Sequence, residues 1–238
     1  MKQNYNNDFH AFTGSNALKS AEVIVPIINS LLNPKSAVDV GCGTGAWLHV
    51  FEKHGVKRIL GIDSSYIDKG LLMIREDDFL SADLTRPLNL STRFDLAVCL
   101  EVAEHLPHHC APDLVRSLAS LSQVIVFSAA YPGQGGTNHI NERWPGYWEG
   151  LFAENGYRVT DPIRPLVWQN DKVAWWYKCN VFVYLHEDLL NENPIFERLV
   201  QDYSDNQVTL VHKDVLKRLD SPLKIAKSFA KEILRQVV

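Results

Sequence analysis

Two periodicities alternate along the chain. Short β-branched or apolar runs, SAVDV at 36–40, VKRILGID at 56–63, FDLAVCL at 94–100 and QVIVFSAA at 123–130, predict strands, with a weaker strand inside 74–84. Between them, residues 16–32, 46–54 and 112–122 carry the three-to-four-residue apolar spacing of helices, the second of which stops at Gly55. Strand and helix in alternation predict a parallel sheet covered by helices, and the unbroken apolar content of FDLAVCL suits a strand buried on both faces. After Tyr131 the texture changes: YPGQGGTNHINERWPGYW predicts a long loop running into a helix near 145–155. Strands near 157–161 and 176–185 (WYKCNVFVYL) complete the expected sheet. The division predicted is one α/β domain over 1–186, with an insert at 131–177, and a helical C-terminal extension over 187–238. Within the extension Ser221 reads as a helix cap and Pro222 as the first helical residue. Leu223, Ala226, Phe229, Ala230, Ile233, Leu234 and Val237 then share an apolar face opposite Lys224, Lys227, Lys231 and Arg235. Such a stripe packs on its own domain, on a partner helix or on an anionic membrane surface.

Composition narrows the class. With 238 residues, 46% of them hydrophobic and 22% charged, the chain can bury a substantial core and is not of disordered or collagen type. Lys and Arg number 24 against 28 Asp and Glu, a net charge of −4, so no whole-chain attraction to nucleic acid is expected. Cys42, Cys99, Cys110 and Cys179 form no C-x-x-C pair, which suits free thiols in a reducing cytoplasm. The first residues lack an apolar signal core and nowhere do eighteen apolar residues run together, so a cytoplasmic protein without a membrane span is expected.

The strand at 36–40 feeds GCGTG at 41–45 and then a helix, an arrangement that lets backbone approach a ligand at a helix start. A dinucleotide is one candidate ligand. Asp39, two residues before Gly41, would repel a pyrophosphate but suits a cationic ligand such as S-adenosylmethionine, which carries a sulfonium and an ammonium. Asp63, ending the second strand, is placed to accept from ribose hydroxyls, and Asp83 from an adenine amino group.

At VDVGCGTG (38–45), LGIDSS (60–65), SADLT (81–85) and FDLAVCLEVAEHLP (94–107) the chain resembles the class I S-adenosylmethionine-dependent methyltransferases, over roughly residues 16–185. The resemblance implies a Rossmann-like α/β fold, a seven-stranded mostly parallel sheet whose last strand is antiparallel. It implies that Asp39, Gly41, Cys42, Gly43 and Gly45 face the methionine part of the cofactor, Asp63 and Ser64 the ribose, and Asp83 and Leu84 the adenine. Glu101 then borders the reacting methyl.

Methyl transfer from a sulfonium is an in-line displacement, so the acceptor must be positioned and lose a proton. Glu101, Glu104 and His105, spaced i, i+3 and i+4, share a face if the segment after the fourth strand is helical. His139, in the loop after the fifth, can join them. His105, His139 and Glu104 are therefore the catalytic candidates, with a histidine as general base. The same four residues, Glu101, Glu104, His105 and His139, also make a donor set for a divalent metal. That arrangement resembles the metal-dependent methyltransferases that modify the 2′-hydroxyl at small-RNA 3′ ends. His108 and His109 read as solvent-facing turn residues.

Five of the six tryptophans, Trp144, Trp148, Trp168, Trp175 and Trp176, fall between 144 and 176. Part of this set belongs to a core. The rest would wall an acceptor pocket in which Tyr131, Trp148 and Trp175 stack on a sugar or aromatic ring. The reading this supports is O-methylation of a small polar acceptor, a saccharide or another hydroxylated metabolite. Its alternatives are an RNA-end 2′-O-methyltransferase, a NAD-dependent oxidoreductase and a non-catalytic cofactor-binding module.

Overall fold

The structure is a computed structural model that describes residues 7–192 and 194–203, with side chains from Ser15 onward. The stripe expected from Ser221 lies outside the described residues. A short run of small and apolar residues, two of them β-branched valines, gives β1 (Ser36–Val40), every one buried. β4 (Leu96–Leu100) and β5 (Val124–Ser128) are built the same way and are equally buried. β2 (Arg58–Asp63) lies beyond β1, and the three-residue β3 (Phe79–Ser81) is the edge strand on that side.

On the other side the chain adds β6 (Tyr157–Thr160) and β7 (Phe182–His186). The sheet order is β3-β2-β1-β4-β5-β7-β6, with β7 antiparallel to both neighbours and every other pair parallel. The seven-stranded, mostly parallel sheet with its last strand reversed is thus as expected, but its neighbour β6 falls inside the 131–177 insert. One stretch differs. Residues 176–180, expected as the first half of the last strand, belong to α6 (Trp175–Asn180). The aromatic run has strand propensity, yet Tyr177 is drawn edge-on against Trp47, ring centroids 5.2 Å apart, and packing overrides propensity.

Side chains alternate across the sheet as the pleat requires. Ala37, Leu96, Val98 and Val126 pack under α1 (Asn7–Leu32) and α2 (Ala46–Lys53). Val38, Val40, Ala97, Ile125 and Phe127 face α3 (Ala111–Leu121) and α4 (Pro145–Ala153). The insert continues through the one-turn α5 (Arg164–Val167), and the chain past β7 forms α7 (Glu187–Glu192) and α8 (Pro194–Gln201). Thr160 at the end of β6 donates from its hydroxyl to the Leu199 carbonyl, 2.6 Å, tying α8 to the sheet. No helix among the described residues is long and apolar enough to cross a membrane. The four cysteines are buried and none is in a disulfide.

Candidate active site

Parallel strands all end on one edge of the sheet, and there the sequence places its polar residues. The loop after β1 is stitched to β2, Gly41 N–H donating to the Ile62 carbonyl at 2.7 Å. A Cβ on Gly41 would lie 2.2 Å from a Val102 methyl, so this glycine is required by the close approach of the segment after β4. Gly43 differs: its φ is +53° and a Cβ there would meet nothing within 4 Å, so its bare backbone borders open space, as a ligand cradle would. Cys42 turns away into the core, where its sulfur packs against Gly61 and burial pushes the thiol up. Gly45 is closed off by Ile74.

Two carboxylates underlie this loop. Asp63 accepts from the Gly43 N–H at 2.7 Å and from the Ser64 N–H at 2.6 Å, so it fixes the loop on which it would share a ligand. Asp39 is 2% exposed and its Oδ2 has no hydrogen-bond partner. Burial first, and the charge of Asp63 second, push its pKa up to about 8. A buried, unsatisfied carboxyl group next to open backbone fits a cationic ligand. Asp83 lies on an exposed turn, where its Oδ1 accepts from the Thr85 N–H and hydroxyl at 3.0 and 2.6 Å, bonds that hold its pKa below the usual range. Leu84, beside it, is half-buried against the core.

The segment after β4 is not the helix that would put Glu101, Glu104 and His105 on one face. Glu101 takes a left-handed backbone, φ 57°, and a single 3₁₀ turn follows at Ala103–His105. The two carboxylates part as a result. Glu101 Oε2 accepts from Gln134 Nε2 at 2.8 Å and its Oε1 from Asn180 Nδ2 at 3.1 Å, while Asn180 Nδ2 also reaches Gln134 Oε1 at 2.8 Å. Asn180, from the last residue of α6, reaches this edge because β7 runs in reverse. Glu104, fully buried, lies with His105 and His139, one donor atom of each within 4.8 Å of the others. Its oxygens lack hydrogen bonds of full geometry. Burial and the charges of Glu101 and Glu142 push its pKa well up, and the N–H groups of Glu104 and Ala130 only partly offset them. The two imidazoles meet edge to face, centroids 4.9 Å apart. Burial, then the neighbouring His139, lower His105 to about 4, so it is neutral at physiological pH.

The cluster therefore holds three of the four expected metal donors, Glu101 being engaged elsewhere. A buried carboxyl group without full hydrogen bonds beside two imidazoles fits a divalent ion. Glu142 is hydrogen-bonded to His139 Nδ1 at 3.0 Å, a pairing not anticipated from the sequence. The i, i+3 spacing of His139 and Glu142 was the available signal.

Of the aromatics expected to wall a pocket, Trp148 does not: it is 1% exposed, wedged against Phe127 in the core beneath α4. Tyr131, buried, stacks nearly parallel to Trp144, and Trp175 packs against the same small cluster with Cys179. His108 and His109 are exposed on a turn.

Residues 19–177, more than half of the chain, match a family described as a methyltransferase domain. Among solved structures the chain is similar to the methyltransferase domain of bacterial CtHen1-C, with TM-score 0.53 and 17% identity over 72% of this chain and 99% of that one. It is similar to DesVI of Streptomyces venezuelae, TM-score 0.54 and 16% identity over 76% and 96% of the two chains. A third is magnesium protoporphyrin IX methyltransferase from Synechocystis PCC 6803 with bound SAH, TM-score 0.54 and 17% identity over 79% and 90%. No curated protein matches the sequence.

Proposed function

The chain belongs to the methyltransferase-domain family, with S-adenosylmethionine as its cofactor, and on that premise we propose that it methylates a hydroxyl of a small polar acceptor, a saccharide or another hydroxylated metabolite. The observation that carries this is the Glu104, His105 and His139 cluster at the ends of β4 and β5. A hydroxyl is a poor nucleophile until its proton leaves, and an imidazole beside the reacting edge, such as His105 kept neutral by its burial, is the group suited to take it. The cofactor supplies the electrophilic methyl group. Asp39 and the bare Gly43 backbone favour its cationic end, Asp63 its ribose, and Asp83 and Leu84 its adenine. Tyr131 and Trp175 offer flat apolar surface at the acceptor side, with Gln134 and Asn180 as polar neighbours.

The buried, incompletely bonded carboxyl group of Glu104 favours a second reading of the same cluster, in which Glu104, His105 and His139 hold a divalent ion. Such an ion would lower the pKa of a bound hydroxyl in place of a base. Incubation of the protein with S-adenosylmethionine and panels of glycosides, phenols, nucleosides and short RNAs, followed by mass spectrometry, tests the function. A cofactor-dependent gain of one methyl on a glycoside or hydroxylated metabolite is expected. Gain on an RNA 3′ end, or on nitrogen alone, would overturn the acceptor class. Chelator separates the two readings: activity that survives it belongs to the base, and activity lost and restored by Mg²⁺ or Mn²⁺ belongs to the ion.

A further inference from the structure

We propose that Glu142 is a positioning residue for His139, fixing the imidazole with its proton on Nδ1 and leaving Nε2 as the nitrogen that works at the acceptor. This rests on the reading that His139 serves the acceptor, whether as base or as metal ligand. Glu142 Oε1 lies 3.0 Å from His139 Nδ1, and an ionised carboxylate only accepts hydrogen bonds, so the proton of that contact sits on Nδ1. Nε2 then carries the lone pair.

The carboxylate cannot swing aside. Its Oε2 accepts from the Gly133 N–H and its Oε1 from the Gly135 N–H, both at 2.8 Å, so the YPGQGG turn closes around it. Both side chains are withdrawn from water, 11% exposed for His139 and 12% for Glu142, where a carboxylate–imidazole bond is strong and its geometry persistent. Three donors converge on it, the Gly133 and Gly135 N–H groups and His139 Nδ1, an environment that suits a carboxylate as acceptor. The turn also holds the ring itself. A Cβ on Gly136 would stand 2.2 Å from His139 Nε2 and 2.5 and 2.7 Å from the ring carbons beside it, so only glycine lets the turn close against this imidazole. A carboxylate held against one ring nitrogen, with the other left to carry the lone pair, is the arrangement that orients imidazole bases and metal-ligating imidazoles alike.

The competing role is purely structural, a carboxylate that clips the glycine turn. Long-range proton–nitrogen NMR of the ligand-free protein distinguishes the two, with the His139 signals assigned from their loss in His139→Gln. The wild type is expected to show the Nδ1–H tautomer, and Glu142→Ala a shift of the population toward Nε2–H. Should Glu142→Ala fail to fold, Glu142→Met, close in size but without a carboxylate to accept from Nδ1, is read for the same shift. With the acceptor found by the screen above, kcat should fall about 10–100-fold in either variant, with KM for S-adenosylmethionine unchanged. Nε2–H in the wild type, or a tautomer that does not move in the variants, overturns the proposal. The NMR result needs no acceptor, so failure of the O-methylation reading shows in turnover alone.

Discussion

Asp39 carries the sharpest conflict between folding and binding at the scale of single residues. Its carboxyl holds a proton up to about pH 8 in the folded protein against 3.8 for an ordinary aspartate. The native state therefore binds the extra proton between those values, and this contribution to stability is lost as pH rises toward 8. Asp39→Asn removes the burden, so it should raise the melting temperature of the ligand-free protein at pH 8 in a thermal scan. The same variant should bind S-adenosylmethionine more weakly by calorimetry, and the wild-type affinity should climb with pH up to about 8, as ionised Asp39 comes to face the cation. An affinity independent of pH in the wild type would remove Asp39 from the cofactor site. His105 makes an opposite kind of statement. With its pKa lowered to about 4, it is already the free base across the neutral range. If it takes the acceptor's proton, a pH–rate profile should stay flat down to about pH 5 rather than fall near 6.5, the ordinary histidine value.

Secondary-structure elements, not isolated side chains, decide which aromatics are available to a ligand. Trp148 sits one turn into α4 on the face turned to β5, so Trp148→Ala should cost about 3–5 kcal/mol of stability in denaturant melts while leaving the acceptor KM of the folded fraction unchanged. Trp175 and Tyr131 lie instead where α6 meets the loop after β5. That junction is held from below: Arg164, 2% exposed, pairs with Asp161 at 2.8 Å and donates to the Cys179 carbonyl at 2.8 Å, next to Asn180. Arg164→Leu strands a buried Asp161 and should destabilise by about 3–5 kcal/mol, read in the same melts. Pattern in the sequence sufficed for β1, β2, β4 and β5, because buried parallel strands must be apolar on both faces. It failed at 176–180, where W-Y-x-C-N-V-F-V mixes a helical turn with a strand and only the Trp47 contact separates them. Glu142 was hidden for a related reason: its partners, the N–H groups of Gly133 and Gly135, exist only after the turn has folded back.

Across the whole molecule, the order β3-β2-β1-β4-β5-β7-β6 sorts the chemistry by strand. Asp39 near the end of β1, Asp63 at the end of β2 and Asp83 in the loop after β3 line one edge, and the loops after β4 and β5 carry the Glu–His cluster. The reversal of β7 delivers Asn180 to the same edge from the opposite chain direction. Where these groups meet, Glu101 has a backbone angle of φ 57°, a conformation costing a non-glycine residue about 1 kcal/mol or more. Glu101→Gly would relieve that cost while deleting the carboxylate that Gln134 and Asn180 grip, so a differential scan of this variant should be paired with turnover, which is expected to collapse. For anyone evolving this enzyme toward heat tolerance, the consequence is practical. A selection that rewards only endurance on heating will be drawn to the position where endurance and usefulness part company.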